Sequence, residues 1–485
     1  MSNSPATPSS AYNFMAPVWD KIETVLGGTK AMRLAGQTYL HQHTAEKDDT
    51  YRERLDCSTL LNMAELTLNS WVGRPFSSPV KIGTDVPEEV STLFDDIDLQ
   101  GNQISVFARN WMREGLAKAF AHVLVDFPSD SPGLVSLADD QRANRRPYWI
   151  FIKPENLIAA SASVINGREV LTHVRIREQT VVRNGFEETI VNRIRQFDRN
   201  DAGVFFVLWE FQKNVKGQES WVPLHLPARL DIDEIPIVTY YADRQALMLG
   251  KPPLEDLVDL NISHWQSNSD QRNILTVARF PILAVSGVTD DENKTVIIGP
   301  RRTLTTPDPS GRWYYVEHQG NAIAAGRQDI ADLEEKMGHY GAEFLTKRPG
   351  STTATARALD SAEATSALQD AVVRFNDALN QALVLTGKWI GEDKPGQILI
   401  NTEFGLPNED QSDYDALKTA RAGRDISRKT YLHELQRRGT LADDFDPEAD
   451  LEELQSEELL GAPTDKMPID QQAQDEPPPP KKVTP

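Results

Sequence analysis

The longest apolar stripe of the chain lies within residues 354–390 and repeats at helical spacing. Its members are Leu368, Val372, Phe375, Leu379, Ala382, Thr386 and Ile390. A helix over these residues would be roughly 55 Å long, because each helical residue adds about 1.5 Å. An ordinary helix has only about three turns. The pattern therefore predicts a helix that spans a whole particle instead of sitting inside one small core.

A second helical pattern precedes the first. Its apolar positions recur at intervals of seven with two more between them: Ile323, Ile330, Met337 and Phe344, then Leu333 and Tyr340. This spacing predicts a helix that packs lengthwise along another helix. The segment that joins the two helices is polar and basic and contains a glycine: Thr346, Lys347, Arg348, Pro349, Gly350, Ser351, Thr352 and Thr353.

Residues 147–241 have a different pattern, rich in β-branched and aromatic residues. We expect strands at residues 148–152, 172–177, 188–197, 204–211 and 221–226. The dipeptides Asn166-Gly167, Asn184-Gly185 and Lys216-Gly217 separate them and are strong hairpin signals. The region therefore predicts a meandering antiparallel sheet.

Helices and short strands are expected around this sheet. Helical periodicity begins near Asp20 and is clear over residues 51–72, and another helix is predicted at 104–121, before a strand at 122–127. A helix is predicted from Pro253 to about residue 275, and turn-rich short strands at 281–285, 295–298 and 313–317. Residues 408–460 predict a small helical module, in which a helix opens at Ser427. Residues 1–19 and 461–485 are expected to be a disordered arm and a disordered acidic, proline-rich tail.

Composition limits the class of protein. A chain of 485 residues is expected to form two or more structural units. No stretch approaches the roughly 18 apolar residues of a membrane span, and the N-terminus does not have the pattern of a signal peptide. The single cysteine, Cys57, fits a reducing compartment and is expected to be a buried structural thiol.

The charge balance argues against a module that grips DNA tightly. The formal net charge is −21, and residues 441–485 hold thirteen acids against three bases. Tight DNA binding comes largely from neutralising phosphates and would favour a basic surface.

Motifs for catalysis or cofactor binding are missing from the sequence. Neither Gly250-Lys251 nor Gly387-Lys388 stands in a P-loop, and there is no G-x-S-x-G or H-E-x-x-H motif. We therefore expect no catalytic residues, no cofactor and no metal.

Three features allow a weaker chemical interpretation. His41 and His43 form a close histidine pair, for which a solvated turn is the simpler interpretation than a metal site. Residues 290–293 are acidic, but a hairpin tip explains them better than calcium. Asp126 ends an apolar strand, where a strand-end cap is the simpler interpretation and a metal-binding carboxylate of a nuclease is the alternative.

The tryptophans fall within apolar stripes, where core packing explains them better than base stacking. They include Trp71, Trp111, Trp209, Trp265 and Trp389.

The order of these elements resembles tailed-bacteriophage portal proteins, the head-to-tail connectors, and within them a portal-like subgroup formerly catalogued as a domain of unknown function. The resembling stretches are Tyr51-Arg52-Glu53-Arg54-Leu55 running to Val72-Gly73-Arg74-Pro75-Phe76, Pro252-Pro253-Leu254-Glu255-Asp256-Leu257 running to Asn261-Ile262-Ser263-His264-Trp265-Gln266, Ala354-Thr355-Ala356-Arg357, and Ile426-Ser427-Arg428-Lys429-Thr430-Tyr431 followed by Gly439-Thr440-Leu441. With the element order they cover about residues 20–460.

The resemblance implies an α+β portal fold. Residues 20–252 would form the wing, 253–275 and 321–345 the stem helices, and 276–320 the clip. Residues 346–353 would be the tunnel loop, 354–407 the long helix that returns to the wing, and 408–460 the crown. The implied DNA-facing residues of the tunnel loop are Thr346, Lys347, Arg348, Gly350, Ser351, Thr352 and Thr353.

The resemblance also implies a structural role without enzymatic activity. The chain would close into a homo-oligomeric ring, a dodecamer as in the family, at one vertex of the capsid, after assembly in the host cytoplasm. Double-stranded DNA would pass through the ring during packaging, retention and ejection. The terminase large subunit, a head–tail adaptor and the major capsid or scaffolding protein would be further partners, and a membrane would not be one.

Two other functions stay open from the residues alone. One is a metal-dependent nuclease or processing enzyme of a mobile element, with Asp126 among its ligands. The other is a different head–tail adaptor or scaffold, although such proteins are generally shorter.

Overall fold

The computed structural model describes residues 4–128, 145–213, 219–279, 282–286, 308–316, 320–342, 354–402, 411–437, 441 and 445–460. The chain divides into two compact units, residues 1–404 and 405–485. The fold is of the α+β class, as predicted. The predicted tunnel loop, the acidic segment 290–293 and the predicted disordered tail lie outside the described residues.

The first unit opens with helices. They are α1 (Ser10–Leu26), α2 (Gly28–Ala35), α3 (Asp48–Cys57), α4 (Met63–Gly73), the single turn α5 (Glu88–Ser91) and α6 (Ile104–Lys118). The prediction of a disordered arm over residues 1–19 is wrong for α1. Ser9 caps this helix by accepting a hydrogen bond from Tyr12 N at 3.2 Å, and Met15 and Trp19 are buried. The sequence pattern concealed the helix because Pro17 lies inside it.

The single helix predicted over residues 51–72 is two helices. α3 ends at Cys57 and α4 begins at Met63, where Asn62 caps it by accepting a hydrogen bond from Glu65 N at 3.1 Å. In the segment between them, the carbonyl groups of Thr59 and Leu61 accept hydrogen bonds from side chains of a later helix, described below.

The strands of the first unit build several antiparallel sheets. The strands up to residue 250 are β1 (Lys81–Ile82), β2 (Phe120–Asp126), β3 (Tyr148–Ile152), β4 (Leu157–Ile165), β5 (Arg168–Asn184), β6 (Glu187–Asn200), β7 (Gly203–Lys213), β8 (Glu219–Pro223), β9 (Ala228–Leu230), β10 (Ile237–Tyr241), β11 (Arg244–Ala246) and β12 (Leu249–Gly250).

The largest sheet confirms the predicted meander. Its order is β4-β5-β6-β7-β8, and β9 pairs with β7. Asn166 and Gly167, with φ of 51° and 76°, form the turn between β4 and β5, and Gly185, with φ of 65°, lies in the turn between β5 and β6. Positive φ is what short hairpin turns need and what asparagine and glycine tolerate. The third hairpin dipeptide, Lys216-Gly217, lies outside the described residues.

The later part of the first unit contains the long helices. They and their associated strands are α7 (Glu255–Ala278), β13 (Ile282–Ser286), β14 (Arg312–Val316), α8 (Asn321–Met337), a π-helical turn (Gly338–Ala342), α9 (Ala354–Ile390) and β15 (Ile398–Leu399). The prediction of one helix over residues 354–390 is confirmed, because α9 has these bounds.

The main core lies where α9 crosses α6 and the small sheet β10-β2-β3. The stripe residues of α9 from Leu368 to Thr386 are buried there, as predicted. Phe375 meets Trp111 edge to face, with ring centroids 5.1 Å apart, and Trp149 Nε1 donates to Thr386 Oγ1 at 2.8 Å. The hydrogen bond explains why a threonine is tolerated in an apolar stripe.

The second unit consists of helices in its described part: α10 (Gln411–Ala422), α11 (Arg428–Arg437) and α12 (Pro447–Leu460). The predicted opening at Ser427 is confirmed, because its Oγ accepts from Thr430 N at 3.0 Å. Among the described helices of the whole chain, none combines the length and apolar character that a membrane crossing requires.

Candidate functional site

The two helices that precede the predicted tunnel loop, α7 and α8, form an antiparallel pair. Near the end of α7, Gln271 Nε2 donates to Ile323 O at the start of α8, at 2.9 Å. Nearer the middle of α7, His264 Nε2 lies 3.2 Å from Glu334 Oε1, close to the end of α8. The later residue of α7 thus contacts the earlier residue of α8, so the two helices lie side by side and run in opposite directions.

One face of α8 makes this contact. The residues facing inward alternate at spacings of three and four along the helix, and the other positions are exposed: Ile323, Gly326, Ile330, Leu333 and Met337. The predicted heptad pattern is confirmed from Ile323 to Met337, whereas Tyr340, in the π-helical turn, is exposed and Phe344 lies outside the described residues. The pattern is that of two helices packed lengthwise.

Gly326 permits the close approach of the pair, and the sequence reading did not single it out. A Cβ at this position would collide with the carboxamide of Gln271. Glycine inside a helix costs about 1 kcal/mol relative to alanine, so a glycine within a heptad stripe was the signal that could have revealed the contact.

Polar side chains attach α7 to the N-terminal helices. They donate to backbone carbonyls at the end of α3 and in the segment between α3 and α4. The bonds are Asn261 Nδ2 to Leu61 O at 2.6 Å, Asn268 Nδ2 to Thr59 O at 3.3 Å and Arg272 Nη1 to Cys57 O at 3.1 Å. The attachment fixes α7, and through it the pair, to the body of the first unit.

A buried arginine strengthens this attachment. The Arg54 side chain, 2% exposed, donates two hydrogen bonds to the carboxylate of Glu46, at 2.7 and 2.8 Å, and lies 3.4 Å from Asp270 on α7. The bonds from Arg54 hold the pKa of Glu46 below its ordinary value. Arg54 therefore joins α3, the preceding loop and α7 by charge-assisted hydrogen bonds.

The two ends of the helix pair carry different structures. Between α7 and α8 the chain forms the hairpin β13–β14, in which Ile282 pairs with Val316. On this hairpin Tyr314 and Tyr315 are exposed. At the opposite end, α8 continues into the π-helical turn beside α4 and then into residues 343–353. The predicted DNA-facing residues, 346–353, all lie in that segment, outside the described residues.

Asp126, the candidate ligand of a nuclease, is held by an arginine. Arg195 Nη1 donates to Asp126 Oδ2 at 2.6 Å, and Arg195 Nε lies 2.7 Å from Glu178. Burial, together with the negative charge of Asp126, raises the pKa of Tyr148 to about 12. The guanidinium occupies the space between the two carboxylates where a cation would bind, which agrees with a strand-end role for Asp126.

A cluster of three glutamates at metal-ligand spacing lies elsewhere in the described residues. Oxygen atoms of Glu23, Glu114 and Glu155 lie within 4.8 Å of one another. The Lys118 amine contacts all three carboxylates, at 2.6 Å from Glu23 and 2.7 Å from Glu114. An ammonium group therefore already neutralises this cluster.

The remaining sequence hypotheses have mixed outcomes. Cys57 is exposed, so the prediction of a buried thiol is wrong: α3 turns Tyr51 and Arg54 inward instead. Trp111 and Trp265 are buried in the core as predicted, and Trp71, Trp209 and Trp389 are partly buried. His43 is exposed, with Nε2 3.3 Å from Asp270 Oδ1.

Comparison with known families gives one match. The family model described as "Domain of unknown function (DUF4055)" matches residues 253–390. This range extends from the start of α7 to the end of α9 and contains the helix pair, the hairpin and the predicted tunnel loop. No curated protein matches the chain.

Among solved structures, the chain is similar to components of gene transfer agent particles. A chain from the neck of the native particle, computed with C12 symmetry, is 10% identical over 77% of this chain and 89% of that chain, with a TM-score of 0.39. A chain from the virion of the native particle is 12% identical over 89% of this chain and 98% of that chain, with a TM-score of 0.35. A chain from the neck of the empty particle, computed with C6 symmetry, is 12% identical over 90% of this chain and 99% of that chain, with a TM-score of 0.36.

Proposed function

We propose that this chain is a subunit of a phage portal, a ring through which double-stranded DNA enters and leaves a capsid. In this proposal residues 20–252 are the wing, α7 and α8 the stem, and residues 276–320 the clip. Residues 346–353 form the tunnel loop, and 408–460 form the crown. A structural role without catalytic activity is part of the proposal.

The observation that carries the proposal is the arrangement of α7, α8 and α9. An antiparallel pair holds a hairpin at one end and continues, at the other end, through a short basic segment into a helix of 37 residues. This is the order stem, clip, stem, tunnel loop and returning helix that the resemblance implies. The long helix is buried in the core of the first unit, and hydrogen bonds attach α7 to the N-terminal helices of the same unit.

The one-sided burial of α8 supports a ring. Its inward stripe contacts α7, while its other positions, which include Ala322, Ala325 and Ala331, are exposed in the single chain. In a closed ring, helices of neighbouring subunits would cover part of this surface. A heterologous contact that closes on itself repeats without growing into a filament.

Charge supports weak contact with the passing duplex. The chain carries −21, so a ring of such chains would repel DNA except where Lys347 and Arg348 offer positive charge. A strongly basic bore would bind phosphates tightly and hold the DNA in place. Phosphate contacts carry no sequence information, which suits a channel that must pass any DNA.

The clip hairpin is the proposed docking site for other proteins. Tyr314 and Tyr315 expose amphipathic rings on a hairpin at the far end of the stem. Tyrosine is enriched at protein interfaces for this reason. We propose that the terminase large subunit binds here during packaging and the head–tail adaptor afterwards, and that capsid or scaffolding protein contacts the wing at the capsid vertex.

The oligomeric state tests the proposal. Native mass spectrometry of the purified chain, at several salt concentrations, should give one closed species whose mass is a fixed multiple of 54.3 kDa, with twelve subunits expected from the family. A monodisperse monomer under every salt condition would contradict the proposal.

A cleavage assay tests the absence of catalytic activity. Supercoiled DNA incubated with the protein and magnesium or manganese should stay intact with the wild type and with Asp126→Ala alike. Metal-dependent cleavage by the wild type that Asp126→Ala abolishes would support the nuclease alternative instead.

A further inference from the structure

The second unit separates its charges along the chain. Residues 418–429, which contain the end of α10, the following turn and the start of α11, hold five bases against one acid. Residues 443–458, which contain most of α12, hold nine acids and no base. A chain whose net charge is −21 therefore has a local concentration of positive charge, followed closely by a strongly acidic segment.

The positive charge is gathered around a short turn between two helices. α10 ends at Ala422 and α11 begins at Arg428, and Arg424 in the turn has a φ of 63°. The five bases lie on the last five residues of α10, in the turn and on the first two residues of α11: Lys418, Arg421, Arg424, Arg428 and Lys429. We call residues 418–429 the basic turn.

The start of α12 lies against the start of α11. Arg428 Nη2 donates to Asp450 Oδ2 at 2.5 Å, and Lys429 Nζ donates to Glu448 Oε1 at 2.9 Å. We call Glu448 and Asp450 the acidic cover. The side chains of Lys429 and Glu448 are 63% and 76% exposed. Ion pairs as exposed as this one contribute little to stability, so a partner with more negative charge can replace the cover.

The acidic cover neutralises only part of the basic turn. Lys418 and Arg424 are exposed, and neither pairs with an acid among the residues that the structure describes. Arg428 and Lys429 stand at the N-terminal end of α11, where the positive end of the helix adds to their charge. The surface therefore favours an anionic partner even with the cover in place.

The residue types of the basic turn favour phosphate over a protein surface. Three of the five bases are arginines, whose planar guanidinium groups bind phosphate through paired hydrogen bonds. No large apolar side chain is exposed from Lys418 to Lys429, a stretch that the structure describes completely. Protein interfaces, in contrast, have an apolar core enriched in aromatic residues.

We infer that the basic turn binds the phosphate backbone of DNA, and that the acidic cover competes with DNA for Arg428 and Lys429. The second unit thus holds a DNA-binding surface that its own helix α12 restrains. The inference goes beyond the proposed function, because this surface lies in the second unit and depends neither on a closed ring nor on residues 346–353.

Removing the cover tests the inference. In the full chain, Glu448→Gln with Asp450→Asn keeps the size of both side chains and removes two negative charges. The affinity for a short fluorescent DNA duplex, measured by anisotropy at low salt, should rise on the order of tenfold above the wild type, because two more bases become free to contact phosphates.

A matched control separates the cover from net charge. Glu88→Gln with Glu89→Gln removes the same two charges from α5 in the first unit. Both residues are exposed, and neither pairs with a base among the described residues. This control should bind DNA as the wild type does.

Two further variants keep the test decisive. The single change Glu448→Gln alters one exposed side chain, so the helices should persist by circular dichroism while the affinity rises by a smaller factor. Adding Arg428→Gln and Lys429→Gln to the cover variant should remove the gain. It should also make the dependence of log affinity on log salt shallower by about 2, because two phosphate contacts are lost.

The outcomes separate this inference from the proposed function. A cover variant that binds DNA no better than the wild type, or a control that gains equally, would overturn the inference whether or not rings form. Binding of poly-glutamate instead of DNA by the cover variant would assign the basic turn to an acidic protein and also overturn it. A monomer with the expected gain would support the inference and contradict the portal.

Discussion

At the scale of single residues, Lys118 carries a charge that is almost completely buried. Its side chain is 1% exposed and lies among Glu23, Glu114 and Glu155. Burial by itself would lower the pKa of this amine, but Glu114 and Glu155 outweigh that effect and raise the pKa above its ordinary value. Lys118 therefore stays charged at neutral pH.

Replacing Lys118 with methionine should destabilise the first unit. The change keeps most of the length of the side chain and leaves Glu114, whose side chain is 10% exposed, without its cation, which costs about 3 kcal/mol. Glu155 and Glu23 are more exposed and lose the same partner. Chemical denaturation followed by fluorescence measures the loss. Lys153→Met is the matched control: Lys153 is 49% exposed and lies 3.9 Å from the same Glu23, so its loss should cost less than about 1 kcal/mol. Equal effects of the two changes would contradict the account of the cluster.

Glu46 predicts a defined dependence of stability on pH. Hydrogen bonds from Arg54 lower its pKa in the folded chain below the ordinary 4.5. The resulting stabilisation is present above pH 4.5 and is lost as the pH falls through the folded pKa, because the unfolded carboxylate takes up its proton first. In Glu46→Gln, which cannot titrate, the free energy of unfolding should fall less steeply with acidification than in the wild type. Parallel curves would show that Glu46 does not contribute in this way.

At the scale of elements, the close approach of α7 and α8 at Gly326 is testable. Gly326→Leu would force the Gln271 carboxamide aside and separate the helices, at a cost of about 1–3 kcal/mol. Amide hydrogen exchange across α8 should become faster. Gly338→Leu is the control, because a Cβ there meets nothing within 4 Å. Unchanged exchange in Gly326→Leu would mean that the pair does not depend on this contact.

The sequence was sufficient to predict elements whose signals are local. The stripe of α9 predicted both the helix and its buried face, because a helix that packs along one core repeats its apolar residues at a fixed period. The Asn-Gly dipeptides predicted two turns of the large sheet, because those turns need positive φ.

Elements whose limits depend on distant partners could not be predicted. The segment between α3 and α4 is held by side chains of α7 that are distant in sequence, such as Asn261, whose hydrogen bond to Leu61 spans 200 positions. The buried face of α3 carries Arg54, a charged residue that hydrophobic periodicity counts as exposed. The wrong prediction that Cys57 is buried has the same cause, because periodicity assigned the wrong face of α3 to the core.

For the candidate site, the sequence predicted the helix pair but not the polar contacts that hold it. Gln271, Arg272 and Asn268 are ordinary surface residue types, and only the fold shows that they donate to carbonyl groups of other elements. The full length of the β5–β6 hairpin was also missed, because the predicted strands at residues 172–177 and 188–197 stopped short of its tip.

At the scale of the whole molecule, Lys347 and Arg348 connect the chain to its proposed cargo. Replacing both with alanine should leave ring assembly unchanged while altering DNA packaging or retention, because two positive charges per subunit would be lost from the channel. Packaging of DNA into capsids and the mass of the ring measure the two effects separately. A variant that fails to assemble would identify the segment as a packing element instead.

The central claim is that α7 and α8 of neighbouring subunits enclose a hole through which a DNA duplex passes. Electron cryomicroscopy of the purified assembly tests it most directly. The account predicts a closed ring with both helices around a central channel wider than a duplex at every level except that of residues 346–353. A ring in which those helices lie on the outer surface, or in which residues 346–353 are packed inside one subunit away from the channel, would contradict it.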